Sequence, residues 1–333
     1  MKKIFALLLS TIMIFCLSGC ALISIDGESN GNAANYQGTG AIGLSVSTQN
    51  NPFFVTLVEG AKAAAAQADV QLIVVDAGDD ASKQVSDIED LVSKNISVLI
   101  VNPVDSDTVS SVVQTAVNKG VKVISADRVV NGVDIDCQIA SDNVLGAELA
   151  TQFIVDQLGE GAKVAELQGT NGASAAIDRG KGFHNIADEK LEVVASQTAN
   201  FDRTEGMNVM ENMLQANGDI QGVFAANDEM ALGAVKAIAG AKKDIVVVGF
   251  DATDDAIASI KAGEMDATIA QQPDLIGATA VETALKLING ETVDKSIPVE
   301  VTLITASNAG NSIGGGCQCG DDCPCPEDCC CHS

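Results

Sequence analysis

The sequence predicts an α/β protein made of two lobes, each built around a doubly wound parallel sheet. Two observations support this. Short apolar runs alternate with longer amphipathic stretches from residue 41 onwards, and strands buried on both faces of a parallel sheet are continuous apolar runs of this kind. Nine such runs are present. They are too many for one sheet in a chain of this length, so two sheets with separate cores fit better.

The predicted strands, in chain order, are "AIGLSV", "VQLIVV", "SVLIV", "VKVIS", "AKVAEL", "LEVVAS", "GVFA", "IVVVG" and "ATIA". Helix-like segments lie between them, among them "PFFVTLVEGAKAAAAQA", "SDIEDLVSK" and "NVLGAELATQFIVDQL". Strand and helix in regular alternation predict right-handed βαβ units, in which each helix covers one face of a sheet.

The amino terminus has the pattern of an export signal. Residues 1–19 combine two lysines, an apolar run too short for a comfortable membrane span, and small residues, which predicts a cleaved signal peptide. The junction "LSGC" resembles the lipobox of bacterial lipoproteins. That resemblance implies a diacylglyceryl group on Cys20 and a membrane anchor on the outer face of the cytoplasmic membrane, with residues 20–40 as a flexible tether. The alternative is a coincidental cysteine in a secretory leader.

Charge and cysteine content limit the partners and the source of stability. The formal net charge of −26 repels phosphate backbones, so we expect no nucleic-acid partner. The ten cysteines are unevenly spread, and Cys137 is the only one between residues 21 and 316. The body therefore lacks an internal disulfide framework, and Cys137 is expected to be a small buried residue.

Catalytic motifs are scarce. The chain has two histidines, of which His184 lies in a helical pattern without a nucleophile or metal-ligand cluster beside it and is interpreted as a solvated helix residue. The sequence contains neither a "GxSxG" elbow nor a P-loop. The glycines of "GTGAIG" precede the first strand instead of following it, which excludes a dinucleotide fingerprint.

Polar and aromatic side chains recur where the predicted strands end, which is where open α/β sheets bind ligands. Residues at or shortly after these ends are Ser47, Asp127, Arg128, Arg179, Phe201, Asn227, Phe250, Asp251 and Gln271. An isolated Asp, Asn or Ser in such a place is by default a helix cap or turn residue. Arginine, glutamine and phenylalanine are not capping residues, so their recurrence favours one shared ligand site.

The chemistry of this set favours a small neutral ligand with several hydroxyls. Arginine offers only donors, aspartate only acceptors, and Asn and Gln offer both. Two arginines balance two aspartates, so the site can close without an unpaired charge. Phe53 and Phe54, in "STQNNPFF", would form flat apolar walls together with Phe201 and Phe250. Phe153 and Phe224 are expected in the core. The sequence leaves undecided whether Phe183 lies in the core or at the ligand site.

The sequence around these residues resembles that of the D-ribose-binding proteins, which are receptors of bacterial ABC importers. The similar stretches are "STQNNPFF", "NPVDSD", "ASDNVLG", "SAAIDRGKGF", "NFDR", "NDEMALGA", "VVGFDAT" and "ATIAQQPD", and they run from about residue 41 to about residue 305. The resemblance implies sugar contacts from Ser47, Asn51, Phe53, Phe54, Asp127, Arg128, Arg179, Phe201, Asn227, Phe250, Asp251 and Gln271.

The resemblance also implies the type I periplasmic-binding-protein fold, with three hinge segments between the lobes. Lobe 1 would hold residues 41–141 and 272–300, and lobe 2 residues 142–271 and 301–308. The sugar would bind between the lobes without a cofactor, and the closed, loaded receptor would dock on the importer permease. A chemoreceptor is a further expected partner, and the protein is expected to be a monomer.

Other functions remain to be weighed. The ligand could be allose or a furanosyl signalling molecule of related shape. A repressor of the same two-lobed fold would need a DNA-binding helical unit and basic charge. The predicted signal peptide and the negative net charge argue against this function. An extracellular sugar-processing enzyme would need a base or nucleophile, for which Asp127 and Asp251 are the only candidates.

The carboxyl-terminal segment, residues 309–333, departs from the ribose-binding pattern. It consists of a glycine hinge and the tail "CQCGDDCPCPEDCCCHS". The potential metal ligands are Cys317, Cys319, Cys323, Cys325, Cys329, Cys330, Cys331 and His332. Thiolates and imidazole suit zinc or copper(I), so we expect the reduced tail to bind one of these metals. Oxidation to disulfides is the competing fate outside the cell.

Overall fold

The computed structural model describes residues 40–310. Two six-stranded sheets organise these residues. The first sheet contains β1 (Ile42–Val46), β2 (Leu72–Asp76), β3 (Val98–Val101), β4 (Lys122–Ala126), β5 (Cys137–Ser141) and β11 (Ser296–Val299). The second contains β6 (Lys163–Gln168), β7 (Glu192–Thr198), β8 (Gly222–Ala225), β9 (Val246–Asp251), β10 (Ala267–Ala270) and β12 (Thr302–Thr305). The predicted α/β fold with two sheets is confirmed.

Both sheets have the strand order of a doubly wound fold. The first runs β11-β5-β4-β3-β1-β2 and the second β12-β10-β9-β8-β6-β7. The pairings are parallel, except that β12 lies antiparallel to β10. Since the strand order reverses inside each sheet, the carboxyl ends of the central strands leave a crevice at the switch point.

The helices fill the connections between the strands. They are α1 (Pro52–Gln67), α2 (Ala81–Ser93), α3 (Ser110–Asn118), α4 (Asn143–Leu158), α5 (Ser174–Lys190), α6 (Arg203–Ala216), α7 (Asp228–Gly240), α8 (Asp254–Ala262) and α9 (Pro273–Ile288). In the first lobe, Val98 and Ile100 of β3 belong to one apolar cluster, and Leu99 and Val101 to another. Because side chains alternate along a strand, the two clusters cover opposite faces of the sheet.

Three strands were missed at the sequence level. The β5 strand, with sequence "CQIAS", mixes polar and apolar residues, although Cys137 is fully buried in it as expected. Edge strand β11 contains Pro298, which is tolerated because an edge strand need not donate to a neighbour on both sides. The short edge strand β12 fully buries only Ile304. A search for continuous apolar runs finds the most buried strands, but it does not detect strands with mixed or partly exposed residues such as these three.

The chain passes between the two sheets at three places. It leaves the first sheet after β5, returns after β10 and crosses once more between β11 and β12. The returning segment enters α9, which packs closely on α1. At Gly60 of α1 and at Gly277 of α9, a Cβ would collide with the backbone of the facing helix. The exact residues at which each lobe begins and ends remain a prediction.

No helix within residues 40–310 is both long enough and apolar enough to cross a bilayer. The same part of the chain contains no group of three or more His, Cys, Asp or Glu residues that could hold a metal ion. The signal peptide, Cys20, the tether up to residue 39 and the predicted metal ligands from Cys317 to His332 lie outside the described residues.

Candidate ligand-binding site

A small cavity lies between the two sheets and is lined from both lobes. The lining residues are Asn51, Phe53, Phe54, Asp127, Arg128, Ala175, Arg179, Phe201, Asn227 and Asp251. Nine of the twelve predicted sugar contacts therefore come together here.

The lobes touch directly beside this cavity. The amide of Ser106 donates to the carbonyl of Gly172 at 3.0 Å, and the amide of Val129 donates to the Ser174 hydroxyl at 2.9 Å. Ser106 and Val129 belong to the lobe of the first sheet, whereas Gly172 and Ser174 belong to that of the second. The structure is thus a closed form, in which the ligand site is shielded from solvent.

In the first lobe, Asn102 connects the polar residues of the site. Its carbonyl oxygen accepts from the Ser47 hydroxyl at 2.7 Å and from the Ser47 amide at 3.1 Å. Its amide nitrogen donates to Asp127 Oδ2 at 3.2 Å. Asp127 has a positive φ of 66°, a strained conformation for a non-glycine residue. Asn102 therefore helps to fix both the strained Asp127 and Ser47, which lies behind the cavity.

In the second lobe, Arg179 projects from α5 and is held on three sides. Its Nε donates to Asn143 Oδ1 at 2.8 Å, its Nη1 donates to the carbonyl of Ala226 at 2.7 Å, and Nη1 lies 3.5 Å from Asp251 Oδ1. Gln271, behind Asp251, donates to the same carboxylate oxygen at 2.7 Å. These contacts order the guanidinium and the carboxylate before any ligand contact is made.

The aromatic rings surround the two arginines. Asn51 caps α1 by accepting from the Phe53 amide at 2.9 Å, which sets Phe53 and Phe54 in the first helical turn. The guanidinium carbon of Arg128 lies 5.0 Å from the centre of the Phe54 ring and 5.5 Å from that of Phe201. Arg179 lies 3.9 Å from the centre of the Phe250 ring. Phe250 thus packs against Arg179, and a cation over an aromatic ring is attracted to it.

Several buried polar atoms of the site have no hydrogen-bond partner. They are Asp127 Oδ1, Arg128 Nε and Gln271 Oε1. An unpaired buried polar atom costs about 1–3 kcal/mol, so a ligand that pairs with them is favoured. Two of these atoms are acceptors and one is a donor. A hydroxyl can both donate and accept, and it therefore suits such a mixed set.

Burial dominates the electrostatics. It raises the pKa of Asp127 and of Asp251 and lowers the pKa of Arg128. Arg179 opposes the shift of the Asp251 pKa, and the negative charge of Asp228 adds to it. The two arginines and the two aspartates are all nearly inaccessible to solvent. The site therefore holds balanced charges in a dry environment and has no cationic surplus for an anion.

The remaining predicted side chains occupy other places. Phe183 and Phe224 stack in the core of the second lobe with ring centres 5.0 Å apart. Phe183 is therefore a core residue. Phe153 is partly buried against the same core. His184 lies on α5 away from the cavity, 40% exposed, and pairs with Asp188 at 2.7 Å and with the buried Glu166 at 3.4 Å.

Sequence reasoning missed Asn102, Asn143 and Gly169. Asn102 directly follows the third apolar run, so the strand-end criterion could have found it. Asn143 opens a helix, and a local signal does not distinguish it from a turn residue. Gly169 is needed because a Cβ there would lie 2.6 Å from Phe201 Cε2 and closer still to two other ring atoms. This steric demand comes from a residue 32 positions further along the chain.

A two-lobed α/β fold with a closed, polar and aromatic cleft defines a receptor for a small solute. The family model described as "Periplasmic binding protein domain" matches residues 42–292, and the chain belongs to this family of periplasmic binding proteins. These are solute-binding proteins and not enzymes, and they act in the periplasm or outside the cell.

Relatives and solved structures agree with this class. The ribose import binding protein RbsB of Bacillus subtilis (strain 168) is 50% identical over 305 residues, covering 92% of this chain and 99% of its own. RbsB of Escherichia coli (strain K12) is 46% identical and covers 82% of this chain and 93% of its own. An ABC transporter solute-binding protein from Bacillus halodurans with bound myo-inositol has a TM-score of 0.79 at 34% identity, covering 83% of this chain and 98% of its own.

Proposed function

We propose that this protein is a receptor that captures D-ribose, in its pyranose form, between two lobes and delivers it to an ABC importer. The observation that carries the proposal is the cleft in which Arg128 and Arg179 face Asp127 and Asp251 between phenylalanine rings. Such a set pairs with the hydroxyls of a sugar and covers its C–H faces. The similarity to ribose import binding proteins supports ribose as the sugar.

The twelve residues predicted from the sequence form the proposed sugar site. Nine line the cavity, and Ser47, Phe250 and Gln271 act from behind it. In this proposal, residues 41–141 and 272–300 form lobe 1, and residues 142–271 and 301–308 form lobe 2. The three connections between the sheets would serve as the hinge. Ribose would bridge both lobes and so favour the closed state by its differential affinity.

The proposed setting is the outer face of the cytoplasmic membrane. Cleavage after residue 19 would leave Cys20 as the lipidated amino terminus, and residues 20–40 would let the lobes reach the permease. We propose a monomer that docks on the permease when loaded, with a chemoreceptor as a second partner. The support for the anchor is the order of lysines, apolar run and "LSGC" at the amino terminus.

Ribose is expected to bind at one site and more tightly than hexoses. A hexopyranose carries an extra hydroxymethyl group, which would meet the phenylalanine rings that line the closed cavity. Any hydroxyl that loses its partner leaves a buried polar group unpaired, at about 1–3 kcal/mol. Calorimetric titration with pentoses, hexoses and furanosyl compounds measures this order. Tighter binding of any other sugar would contradict the assignment.

Allose is the second candidate ligand. The observation in its favour is a solved solute-binding protein from Actinobacillus succinogenes 130z with bound D-allose, which has a TM-score of 0.77 at 32% identity and covers 82% of this chain and 99% of its own. Furanosyl ligands remain in the same panel because a galactofuranose-binding protein has a TM-score of 0.77 at 26% identity. The titration separates these candidates directly.

For the carboxyl-terminal tail we propose binding of zinc or copper(I), independent of the sugar site. Its seven cysteines and His332 supply enough ligands for two tetrahedral zinc sites or one thiolate cluster. We expect the reduced full chain to bind metal that a chain ending at Gly316 does not, with equal ribose affinity in both. Anaerobic titration of each protein with metal, and separately with ribose, tests this. Equal metal stoichiometry would contradict the proposal.

A further inference from the structure

A buried carboxylate that lies behind the cleft is not among the cavity-lining residues. Asp228, the first residue of α7, is completely inaccessible to solvent. Its Oδ2 accepts from the Thr253 amide at 2.8 Å and from the Thr253 hydroxyl at 3.2 Å. Its Oδ1 accepts from the Thr268 hydroxyl at 2.6 Å. The Thr253 amide can only donate, and an ionised carboxylate, which accepts with both oxygens, satisfies all three contacts.

These contacts hold the turn that follows Asp251. Asp251 and Ala252 both have positive φ, 124° and 57°, and such conformations persist only where the surroundings hold them. The Thr268 hydroxyl accepts from the Ala252 amide at 3.3 Å while it donates to Asp228. Asp228 thus fixes Ala252 through Thr268 and fixes Thr253 directly. The two residues after Asp251 are both anchored to one carboxylate.

The packing around Asp228 is shaped for this carboxylate. Gly249 of β9 faces Oδ1 so closely that a Cβ there would collide with it. The charged groups acting on Asp228 are acidic. Glu229 is its neighbour on α7, and Asp251 lies on β9. Within residues 40–310 no salt bridge pairs Asp228 with a cation. A buried acid held without a cation is costly, so its hydrogen bonds to Thr253 and Thr268 are the local compensation.

We propose that Asp228 is a positioning residue for ligand recognition, which as an ionised acceptor holds the strained turn after Asp251 and so aims the Asp251 carboxylate at the sugar. This inference rests on the proposed function, because its effect is measured on ribose binding. The aim matters since Asp251 already contacts Arg179 and Gln271. A small rotation of its backbone would therefore disturb three polar groups of the site together.

The test compares three variants with the wild type by calorimetric titration with ribose and by thermal melting. Asp228→Asn keeps one acceptor and places an amide group against a donor, and Thr268→Val removes the bridge to Ala252. Both are expected to weaken ribose binding by about tenfold or more. Thr151→Val is the matched control, because Thr151 is equally buried in the second lobe and its hydroxyl bonds only to Ala147 within α4.

The variants should change thermal stability and ribose affinity differently. Burial raises the pKa of Asp228 to about 7, above its ordinary value of 3.8. An acid with a raised folded pKa disfavours folding once the pH exceeds its unfolded value. At about pH 8 the removal of this buried charge offsets the hydrogen bonds lost in Asp228→Asn, so its melting temperature should change little while its ribose affinity falls. Thr151→Val should melt lower and bind ribose normally.

A pH series tests the role of the charge. Protonation of Asp228 leaves one acceptor fewer for the same donors, so the affinity of the wild type should fall towards that of Asp228→Asn as the pH drops through about 7. Asp127 and Asp251 also have raised pKa values. The negative charge of Asp228 contributes to the raised pKa of Asp251, so the difference between the two proteins reports the charge of Asp228 together with its effect on Asp251.

The outcomes are distinct. If the wild type fails to bind ribose, the proposed function is wrong and the variants need not be compared. If the wild type binds ribose and Asp228→Asn matches it within about twofold, the positioning role is overturned. A loss of affinity in Asp228→Asn that is the same at every pH between about 5.5 and 8.5 would overturn the role of the ionised carboxylate.

Discussion

Replacing Arg179 with alanine is expected to weaken ribose binding by about 2 kcal/mol or more, roughly thirtyfold. The guanidinium donates to Asn143 and to the carbonyl of Ala226, and it lies 3.5 Å from the Asp251 carboxylate. Without it, Asn143 Oδ1 and the carbonyl of Ala226 lose this donor, and the Asp251 carboxylate loses its nearby cation, inside a closed site. Arg128→Ala should have an effect of similar size, because Arg128 is equally buried and lies 3.7 Å from Asp127 Oδ2. Calorimetric titration with ribose measures both.

The control for the arginine variants is His184→Ala. His184 lies on the same helix as Arg179, but it is 40% exposed and contacts Asp188 and Glu166 away from the cavity. Its removal should leave ribose affinity unchanged. If this change abolished binding while the arginine variants bound normally, the proposed site would be wrong.

Gly169→Ala is expected to weaken ribose binding by at least about tenfold through a steric effect alone. A Cβ at this position would lie 2.6 Å from Phe201 Cε2 and even closer to Cζ and Cε1, so the ring must move. The Phe201 ring cannot retreat freely, because its backbone is already in a strained conformation with φ 61°. Overpacking of this kind costs about 1–3 kcal/mol. Displacement of the ring also disturbs Arg128 and Arg179, which both lie against it.

Gly218→Ala is the matched control for this experiment. Gly218 belongs to the same lobe, and a Cβ there meets no other atom within 4 Å. It should therefore bind ribose as the wild type does. Titration of the two glycine variants, together with a thermal melt of each, separates a loss of affinity from a loss of fold. Normal ribose binding by a folded Gly169→Ala would contradict the role given to the Phe201 ring.

The amino-acid sequence by itself determined the central strands, the helices between them and the fold class. Parallel strands that are buried on both faces need continuous apolar runs, and β3, β8 and β10 are such runs. The sequence also identified Arg128, Arg179 and Asp251 as ligand-site candidates, because polar residues at the carboxyl ends of strands converge on one edge of a sheet. These inferences use only local periodicity and the position of a residue relative to its strand.

Tertiary structure decided the features that depend on residues far apart in the chain. Edge strands β11 and β12 pair with partners more than 30 residues away, and their own sequences carry no strong apolar signal. Asp127, Phe201 and Asp251 adopt positive φ, although none of them is glycine. Their side chains are positioned by Asn102 and Gly169, which lie in loops, and by Asp228 at the start of α7. Strain of this kind is held by long-range packing and hydrogen bonds, so it has no local sequence signature.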